Sequence, residues 1–223
     1  MIGPHDPMTR SSDVLLLGHR GARASRHIPE NTLASFELCM QHGCDGFEFD
    51  VRRSSDGVAV ICHDPVFRGL RIENTPASQL ALPTLEEVLD QFSSRAFLDI
   101  ELKVPGLETP LIAALKDHPT KQGYAVSSFL PEVLIELCFL DQNIPLGFLY
   151  DQQSQLPPPD VPLAWMIPNF KLVDQKLTEK VHASGQKIMI WTVNRADDMR
   201  RLEERGVDAI ISDDTELLVN SFR

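Results

Sequence analysis

The feature that most constrains the fold of this chain is a regular alternation of short apolar runs with segments of helical periodicity. Eight apolar runs have the composition of buried strands. They lie at residues 14–18, 46–51, 97–103, 124–128, 145–149, 163–167, 187–193 and 208–212. Because strands that alternate with helices pair in parallel, this order predicts a single (β/α)8 TIM barrel.

Helical spacing and capping signals predict helices between these strands. The predicted helices cover residues 33–42, 84–92, 108–117, 131–140, 173–184, 196–205 and 215–222. Residues 152–162 contain three consecutive prolines and are predicted to form a loop. An open doubly wound sheet is the alternative fold, but it predicts a glycine-rich phosphate loop after the first strand, and the sequence has none.

One further apolar run, at residues 58–62, does not fit the repeat. It follows the tight-turn sequence at 54–57 directly, whereas a parallel neighbour would require a crossover of about a dozen residues. The run is therefore predicted to fold back as a β-hairpin arm, which would bring His63 close to the preceding strand. Residues 65–83 are predicted to be a short, irregular and polar insertion after the second strand.

Composition and charge limit the possible function. The chain is 43% hydrophobic, as expected for one globular domain, which is predicted to span residues 14–223 after a flexible tail at 1–13. A formal net charge of −11 argues against nucleic acid and anionic membranes as partners. No apolar run is long enough to span a bilayer, and four cysteines without CxxC spacing indicate free thiols in a reducing compartment. These features predict a cytoplasmic protein, in which any site for an anionic substrate must supply its own positive charge.

Residues suited to chemistry gather at the C-terminal ends of the predicted strands. In a parallel barrel these ends form one rim, where active sites are found. Glu48 and Asp50 are two positions apart, so their side chains share one face of a strand. The full set is His19 and Arg20 after strand one, Glu48 and Asp50 on strand two, Glu101 and Lys103 on strand three, and Asn194 after strand seven. Solvated charges without a function would not favour one rim.

The residue types at this rim match the requirements of phosphodiester cleavage. The three carboxylates, without clustered cysteines, form an oxygen ligand set that suits Mg²⁺ or Ca²⁺. Arg20 and Lys103 supply the positive charge that a phosphate needs. His19 and His63 are imidazoles, the side chains best suited to proton transfer near neutral pH.

Longer motifs extend this pattern. They are His19-Arg20-Gly21, Pro29-Glu30-Asn31-Thr32, Glu48-x-Asp50-Val51, and Asp56-Gly57 followed by His63-Asp64. Further segments continue the pattern at residues 83–89, 100–103, 127–129 and 191–194. In the order and spacing of these motifs the chain resembles the glycerophosphodiester phosphodiesterase family, over residues 15–214.

The resemblance implies an enzyme that uses one divalent cation, Mg²⁺ or Ca²⁺, to hydrolyse small glycerophosphodiesters to sn-glycerol 3-phosphate and an alcohol. It implies acid–base catalysis by His19 and His63, metal binding by Glu48, Asp50 and Glu101, phosphate binding by Arg20 and Lys103, and substrate contacts by Phe129, Trp191 and Asn194.

Several of these positions also have a purely structural interpretation. Phe129 and Trp191 are also compatible with core packing, and Asn194 with a helix cap. Asn31 is interpreted as a helix cap and Gly21 as a tight-turn residue, not as ligands.

Two other functions remain open at this point. One is a phospholipase D-like or lyase activity on lysophospholipids, which would release a cyclic phosphate. The other is a barrel that binds metal and phosphate without turnover. The short insertion at 65–83 predicts that head groups lie partly in solvent, so that choline, ethanolamine and glycerol diesters would react at rates within about tenfold of one another. The oligomeric state does not follow from the sequence.

Overall fold

Eight parallel strands close into a barrel in the computed structural model, which describes residues 14–223. The predicted tail at 1–13 lies outside the described residues. In chain order the strands are β1 (Leu15–His19), β2 (Gly46–Arg53), β3 (Ala59–Ile61), β4 (Val66–Phe67), β5 (Leu70–Arg71), β6 (Phe97–Leu102), β7 (Tyr124–Ser128), β8 (Leu146–Tyr150), β9 (Leu163–Pro168), β10 (Lys187–Ile190) and β11 (Ala209–Ser212). All except β3, β4 and β5 pair in parallel with their sequence neighbours, and β1 pairs with both β2 and β11. The predicted TIM barrel is confirmed.

Helices surround the barrel. They are α1 (Leu33–His42), α2 (Ala77–Leu80), α3 (Leu85–Phe92), α4 (Glu108–Asp117), α5 (Pro131–Leu140), α6 (Gln175–Ala183), α7 (Ala196–Glu204) and α8 (Thr215–Phe222). The connection from β8 to β9 contains no helix, as the prolines at 157–159 predicted, since proline cannot donate the backbone hydrogen bonds of a helix interior. No helix within residues 14–223 is both long and apolar enough to cross a membrane.

Successive side chains of β2 point to opposite faces of the strand, so its aromatic core residues and its carboxylates lie on different faces. Phe47 and Phe49 point outward to the helices, where Phe47 stacks on Phe36 of α1 at 4.3 Å between ring centroids. Residues on the other face of the strand point into the barrel, and Glu48 and Asp50 are among them. Gly46 begins that inward row, and a Cβ atom there would lie 1.8 Å from the carbonyl oxygen of Phe97. The strand therefore buries aromatic rings on one face and aims carboxylates at the rim with the other.

The hairpin arm forms as predicted, but the insertion is more ordered than the sequence indicated. β3 pairs antiparallel with the end of β2. Residues 65–83 contain the β4–β5 hairpin, a 3₁₀ turn at Ile72–Asn74 and helix α2. Ile72 and Leu80 pack with Val60 and Cys62 in a small core of their own. The expectation of an irregular segment was wrong, because these apolar residues are too widely spaced to produce a periodic signal but converge in three dimensions.

Two boundaries also differ from the predictions. Helix α1 is capped by Thr32, whose side chain accepts a hydrogen bond from the Ser35 backbone N–H, and not by Asn31. Strand β10 ends at Ile190, earlier than the predicted end at 193. Trp191 beyond it retains only an isolated bridge to Asn169. The cysteines are free thiols, and three of the four are buried.

A buried acid, Asp99, lies in the barrel interior on the same face of β6 as Glu101. It is fully buried, and burial raises its pKa to about 7 against a smaller lowering by the Ser127 hydroxyl. Asp50 adds further repulsion to the charged form. An aspartate in an unfolded chain has a pKa of about 3.9, so the folded state binds more protons between these two values. The stability contributed by this group is therefore full below about pH 4 and is lost as the pH rises to about 7.

The raised pKa of Asp99 in the folded protein leads to a prediction about stability. In metal-free protein, Asp99→Asn should raise the melting temperature at pH 8 by at least about 4 °C and leave it nearly unchanged at pH 4, because the amide has the same shape but no charge. Scanning calorimetry at both pH values measures the effect. Asp90→Asn on the exposed surface of α3 is the matched control. An equal shift at both pH values would contradict the argument.

Candidate active site at the carboxyl rim

Three carboxylates converge where β2 and β6 end. Asp50 and Glu101 are register partners on these neighbouring strands, and Glu48 lies two residues before Asp50. One oxygen atom from each of the three lies within 4.8 Å of the others, and all three side chains are buried. Glu48 Oε1 and Asp50 Oδ1 accept no hydrogen bond within the described structure. Such atoms are costly to bury without a partner, and a cation is the kind of partner that three converging carboxylates suit.

The pKa values of the three carboxylates are shifted in different directions. Burial and the charges of Asp50 and Glu101 raise the pKa of Glu48 well above its usual range. Burial and Asp50 raise the pKa of Glu101 to about 7. Burial would also raise the pKa of Asp50, but Lys103 and Arg20 outweigh it and lower that pKa. The ionised form is therefore favoured for Asp50 and disfavoured for Glu48 and Glu101.

Two basic residues flank the acids. Arg20 follows β1 in the left-handed backbone region, at φ 54°, and its N–H donates to Glu48 Oε2 at 3.0 Å. Its guanidinium Nε lies 3.1 Å from Asp50 Oδ2. Lys103 Nζ lies 2.6 Å from Glu101 Oε1 and 3.4 Å from Asp50 Oδ1. Both cations thus lie beside the carboxylates, as their rim positions predicted.

Residues of the β1–α1 connection support this arrangement. Asn31 is buried, and its side-chain amide donates to Asp50 Oδ2 at 2.8 Å. Glu30 accepts from the guanidinium of Arg20 at 2.7 Å and from that of Arg23 at 2.5 Å. Asn31 therefore orients a carboxylate of the cluster, and its interpretation as a helix cap was wrong. Its φ of 56°, which asparagine tolerates better than most residues, turns the side chain toward β2.

His19 is held by an acid that the sequence analysis missed. Its Nδ1 lies 2.7 Å from Asp213 Oδ1, and its Nε2 lies 3.8 Å from Glu48 Oε2. Asp213 directly follows β11, so its position at the end of the last strand was the signal that could have identified it. Asp213 is partly buried, but hydrogen bonds from His19, Arg23 and Asn194 outweigh burial and lower its pKa below the usual range.

Asn194 belongs to the same network. Its Nδ2 donates to Asp213 Oδ2 at 2.6 Å, and its Oδ1 accepts from the Asp213 backbone N–H at 2.9 Å. Helix α7 has Arg195 as its N-cap residue, so the helix-cap interpretation of Asn194 was wrong. Asn194 fixes the carboxylate that in turn holds His19.

His63 reaches the rim from the hairpin arm. Its Nδ1 lies 2.8 Å from Asp64 Oδ1, and its backbone carbonyl accepts a hydrogen bond from Arg52 Nε at 2.7 Å. Its charged form would lower the pKa of Asp50, which lies close by. The side chain is 37% exposed, against 13% for His19. The two imidazoles therefore differ in access to solvent, although each pairs with a carboxylate.

Two aromatic side chains form an apolar wall near Lys103. Phe129 and Trp191 meet edge to face at 5.4 Å between centroids. Lys103 Nζ lies 5.7 Å from the centre of the Phe129 ring. Trp191 donates from its indole N–H to the carbonyl of Ile167 at 3.0 Å. Both rings are partly exposed and pack on the interior core, as the packing interpretation predicted, and their contact with a substrate stays a prediction.

Together, the fold and this rim define an enzyme class: a TIM barrel with an acidic cluster, paired basic residues and two imidazoles at its carboxyl rim. This combination suits chemistry on a phosphorylated substrate.

Comparison with known proteins identifies the family. The sequence matches the glycerophosphoryl diester phosphodiesterase family over residues 19–111 and 67–217. A glycerophosphodiester phosphodiesterase of Caldanaerobacter subterraneus subsp. tengcongensis is 31% identical over 94% of this chain and 98% of that protein. The chain belongs to the glycerophosphoryl diester phosphodiesterase family and is a phosphoric diester hydrolase.

Solved structures agree with this assignment. A phosphodiesterase of Oleispira antarctica, in complex with the product sn-glycerol-3-phosphate, is 27% identical with a TM-score of 0.83, covering 93% of this chain and 96% of that one. A glycerophosphodiester phosphodiesterase of Thermotoga maritima is 25% identical with a TM-score of 0.81, covering 93% of this chain and 97% of that one.

Proposed function

We propose that this enzyme hydrolyses glycerophosphodiesters to sn-glycerol 3-phosphate and an alcohol in a reaction that depends on a divalent cation and on two histidines. The observation that supports this most directly is the convergence of Glu48, Asp50 and Glu101 at one rim beside Arg20 and Lys103. The structure of the relative with bound sn-glycerol-3-phosphate supports the identity of the product.

The acidic cluster fits a hard divalent cation such as Mg²⁺ or Ca²⁺. Glu48, Asp50 and Glu101 would hold it, because their oxygens converge and two of them lack hydrogen bonds. When bound, the cation would offset the negative charge that develops on the phosphate oxygens during the reaction. Asn31 would keep Asp50 oriented for this role by holding its Oδ2.

Arg20 and Lys103 would bind the phosphate of the substrate. Both are mostly buried and already lie beside the acidic cluster, so a phosphate at the cluster would meet two fixed cations. The Arg20 guanidinium is oriented on its other side by Glu30 at 2.7 Å. Such orientation lowers the cost of ordering the side chain when the substrate binds.

His19 and His63 would transfer the protons in this reaction. Asp213 is ionised, so Nδ1 of His19 donates to it and leaves Nε2 facing Glu48. Asp64 orients His63 in the same way from its own Nδ1. One imidazole would take a proton from the attacking oxygen, which belongs either to water or to a glycerol hydroxyl that first forms a cyclic phosphate, and the other would give one to the leaving oxygen as its bond to phosphorus breaks.

A coupled assay for glycerol 3-phosphate tests the reaction. With glycerophosphocholine and either Mg²⁺ or Ca²⁺, we expect stoichiometric release of glycerol 3-phosphate. Phosphorus NMR in ¹⁸O-labelled water should place the label on its phosphate. Accumulation of a cyclic phosphate would instead support lyase chemistry, and binding without turnover would support a non-catalytic barrel.

The role of Asp213 gives a second prediction. Asp213→Asn should lower kcat by about tenfold to a hundredfold with little change in KM, because the amide no longer fixes Nδ1 of His19 as a hydrogen-bond donor. The pH profile of kcat should also change shape, which a loss of folding would not cause. Asp214→Asn is the matched control, since Asp214 caps α8 through Leu217 N–H and asparagine caps equally well. Equal kcat values for Asp213→Asn and the control would contradict the role.

A further inference from the structure

A groove lies on the outside of the barrel where the connection from β8 to β9 lacks a helix. It is a cavity of about 420 Å³ between the 151–162 loop and helix α6. Its floor includes Tyr150 of β8 and Met166 of β9, which point away from the interior cluster that contains Trp165 and Ile167. Helices cover the strands elsewhere in this fold, so the groove is open where a helix would otherwise pack.

Helix α5 exposes apolar side chains beside this groove. The helix packs against β8, the strand that supplies Tyr150 to the groove floor. Phe139 is 81% exposed, and Ile135 and Leu140 on the same outward face are also exposed. Leu156, in the wall of the groove, is 77% exposed. Phe139 and Leu156 are the most exposed large apolar side chains between residues 14 and 223, so this face has the character of an interaction surface.

The same face carries two acids on α5 and two bases on α6. Glu132 and Glu136 are exposed at the second and sixth positions of α5. Lys176 and Lys180 are exposed at the second and sixth positions of α6, where they line the groove. None of these four residues takes part in an ion pair within residues 14–223. The acid in the groove wall, Asp174, caps α6 by accepting a hydrogen bond from a backbone N–H of its first turn.

We propose that two copies of this chain associate through this face, with α5 of each copy packed along the groove and α6 of the other. The two helices follow β7 and β9, so both begin at the carboxyl rim and run in the same direction. A two-fold axis parallel to the barrel axis preserves that direction. It brings Glu132 level with Lys176 of the second copy and Glu136 level with Lys180 of the second copy, and each pair forms twice in the dimer.

Phe139 supplies the apolar part of this contact. It is the ninth residue of α5, level with the last turn of α6, where Val181 and Ser184 line the groove. Packing the ring there would remove both Phe139 and Leu156 from water. The face contains both the helix and the groove that receives it, which is the self-complementarity that a two-fold contact requires. Pairing each acid with a lysine also offsets the repulsion between two chains of net charge −11.

Sedimentation velocity over a concentration series tests the dimer. We expect a reversible monomer–dimer equilibrium that added salt weakens. Phe139→Asp should raise the dimer Kd at least about thirtyfold, because it places a charge at the apolar centre of the contact. Leu70→Asp is the matched control and should leave the dimer Kd unchanged, since Leu70 is an exposed apolar residue on the hairpin of the insertion, outside this face.

Charge reversal tests the pairing of α5 with α6. Glu136→Lys and Lys180→Glu should each raise the dimer Kd about tenfold, and the double variant should return it to within about threefold of wild type, because the exchange rebuilds the pair with opposite polarity. Circular dichroism establishes that each variant is folded. A monomer at every concentration would leave the groove to a different occupant and overturn the proposal. A dimer that Phe139→Asp leaves intact, or a double variant no better than the single ones, would overturn it as well.

Discussion

Replacing Glu48 by glutamine is expected to abolish hydrolysis while making the metal-free protein more stable. Glutamine has the shape of glutamate and can still accept the Arg20 N–H. It lacks the charge that a divalent cation requires, so metal affinity should fall at least about a hundredfold. At the same time it removes a buried carboxylate whose pKa is raised by burial and by repulsion from Asp50 and Glu101, so the melting temperature without metal should rise.

Activity, metal titration calorimetry and thermal melts measure the three effects. Chelator should abolish wild-type activity, and Mg²⁺ or Ca²⁺ should restore it. Glu108→Gln is the matched control, because Glu108 is also buried but accepts the Gly106 N–H at the start of α4, outside the cluster. Wild-type activity that survives excess chelator would refute the metal hypothesis, and so would a Glu48→Gln variant that binds the metal as tightly as wild type does.

Replacing either proposed catalytic histidine by alanine should cause the second large loss. His19→Ala and His63→Ala should each lower kcat by about 10² to 10⁴, the usual contribution of one proton-transfer group. Combining the two should cost much less than the product of the single effects, because the two imidazoles serve one proton-transfer sequence. Each variant should also lose one limb of the bell-shaped pH profile of kcat/KM.

The control for these variants is His27→Ala. His27 is an exposed histidine in the same β1–α1 connection, and it should be neutral in activity. Circular dichroism separates a catalytic loss from unfolding. The assignment would be wrong if both histidine variants kept activity within about threefold of wild type, or if His27→Ala lost as much as they did.

The acidic cluster lowers the folding stability of the barrel, and the polar and basic residues beside it limit that loss. Three buried carboxylates repel one another, and the barrel tolerates them because Arg20, Lys103 and Asn31 are fixed nearby. A cation would relieve the remaining imbalance. Metal binding and folding stability should therefore be coupled, with the greatest stabilisation where all three acids are ionised.

The barrel and most of the residues at its rim could be predicted from the amino-acid sequence. Strands and helices leave local periodic signals, and in a parallel barrel the end of every strand lies at the same edge. The sequence could therefore predict that four rim residues lie close together, namely Glu48, Asp50, Glu101 and Lys103. The turn at 54–57 could be recognised because the chain is too short there for a parallel crossover.

Other features depended on contacts between segments that are far apart in the chain. Asp213 meets His19 across 194 positions, and Asn31 meets Asp50 across 19. Neither contact leaves a local pattern, and an asparagine before a helix is more often a cap. The core of the insertion likewise forms from Ile72 and Leu80, which have no common period.

The contact between His19 and Asp213 is the clearest example of a feature that could be known only from the folded chain. It joins the ends of the first and last strands of the barrel, and Asn194 from another connection holds the same carboxylate. Pairing is a property of distances in space, and a sequence with an excess of acids gives no indication of which acid holds a given histidine. Local periodicity thus indicated where the proposed catalytic groups lie, whereas the orientation of those groups was set by contacts between distant segments.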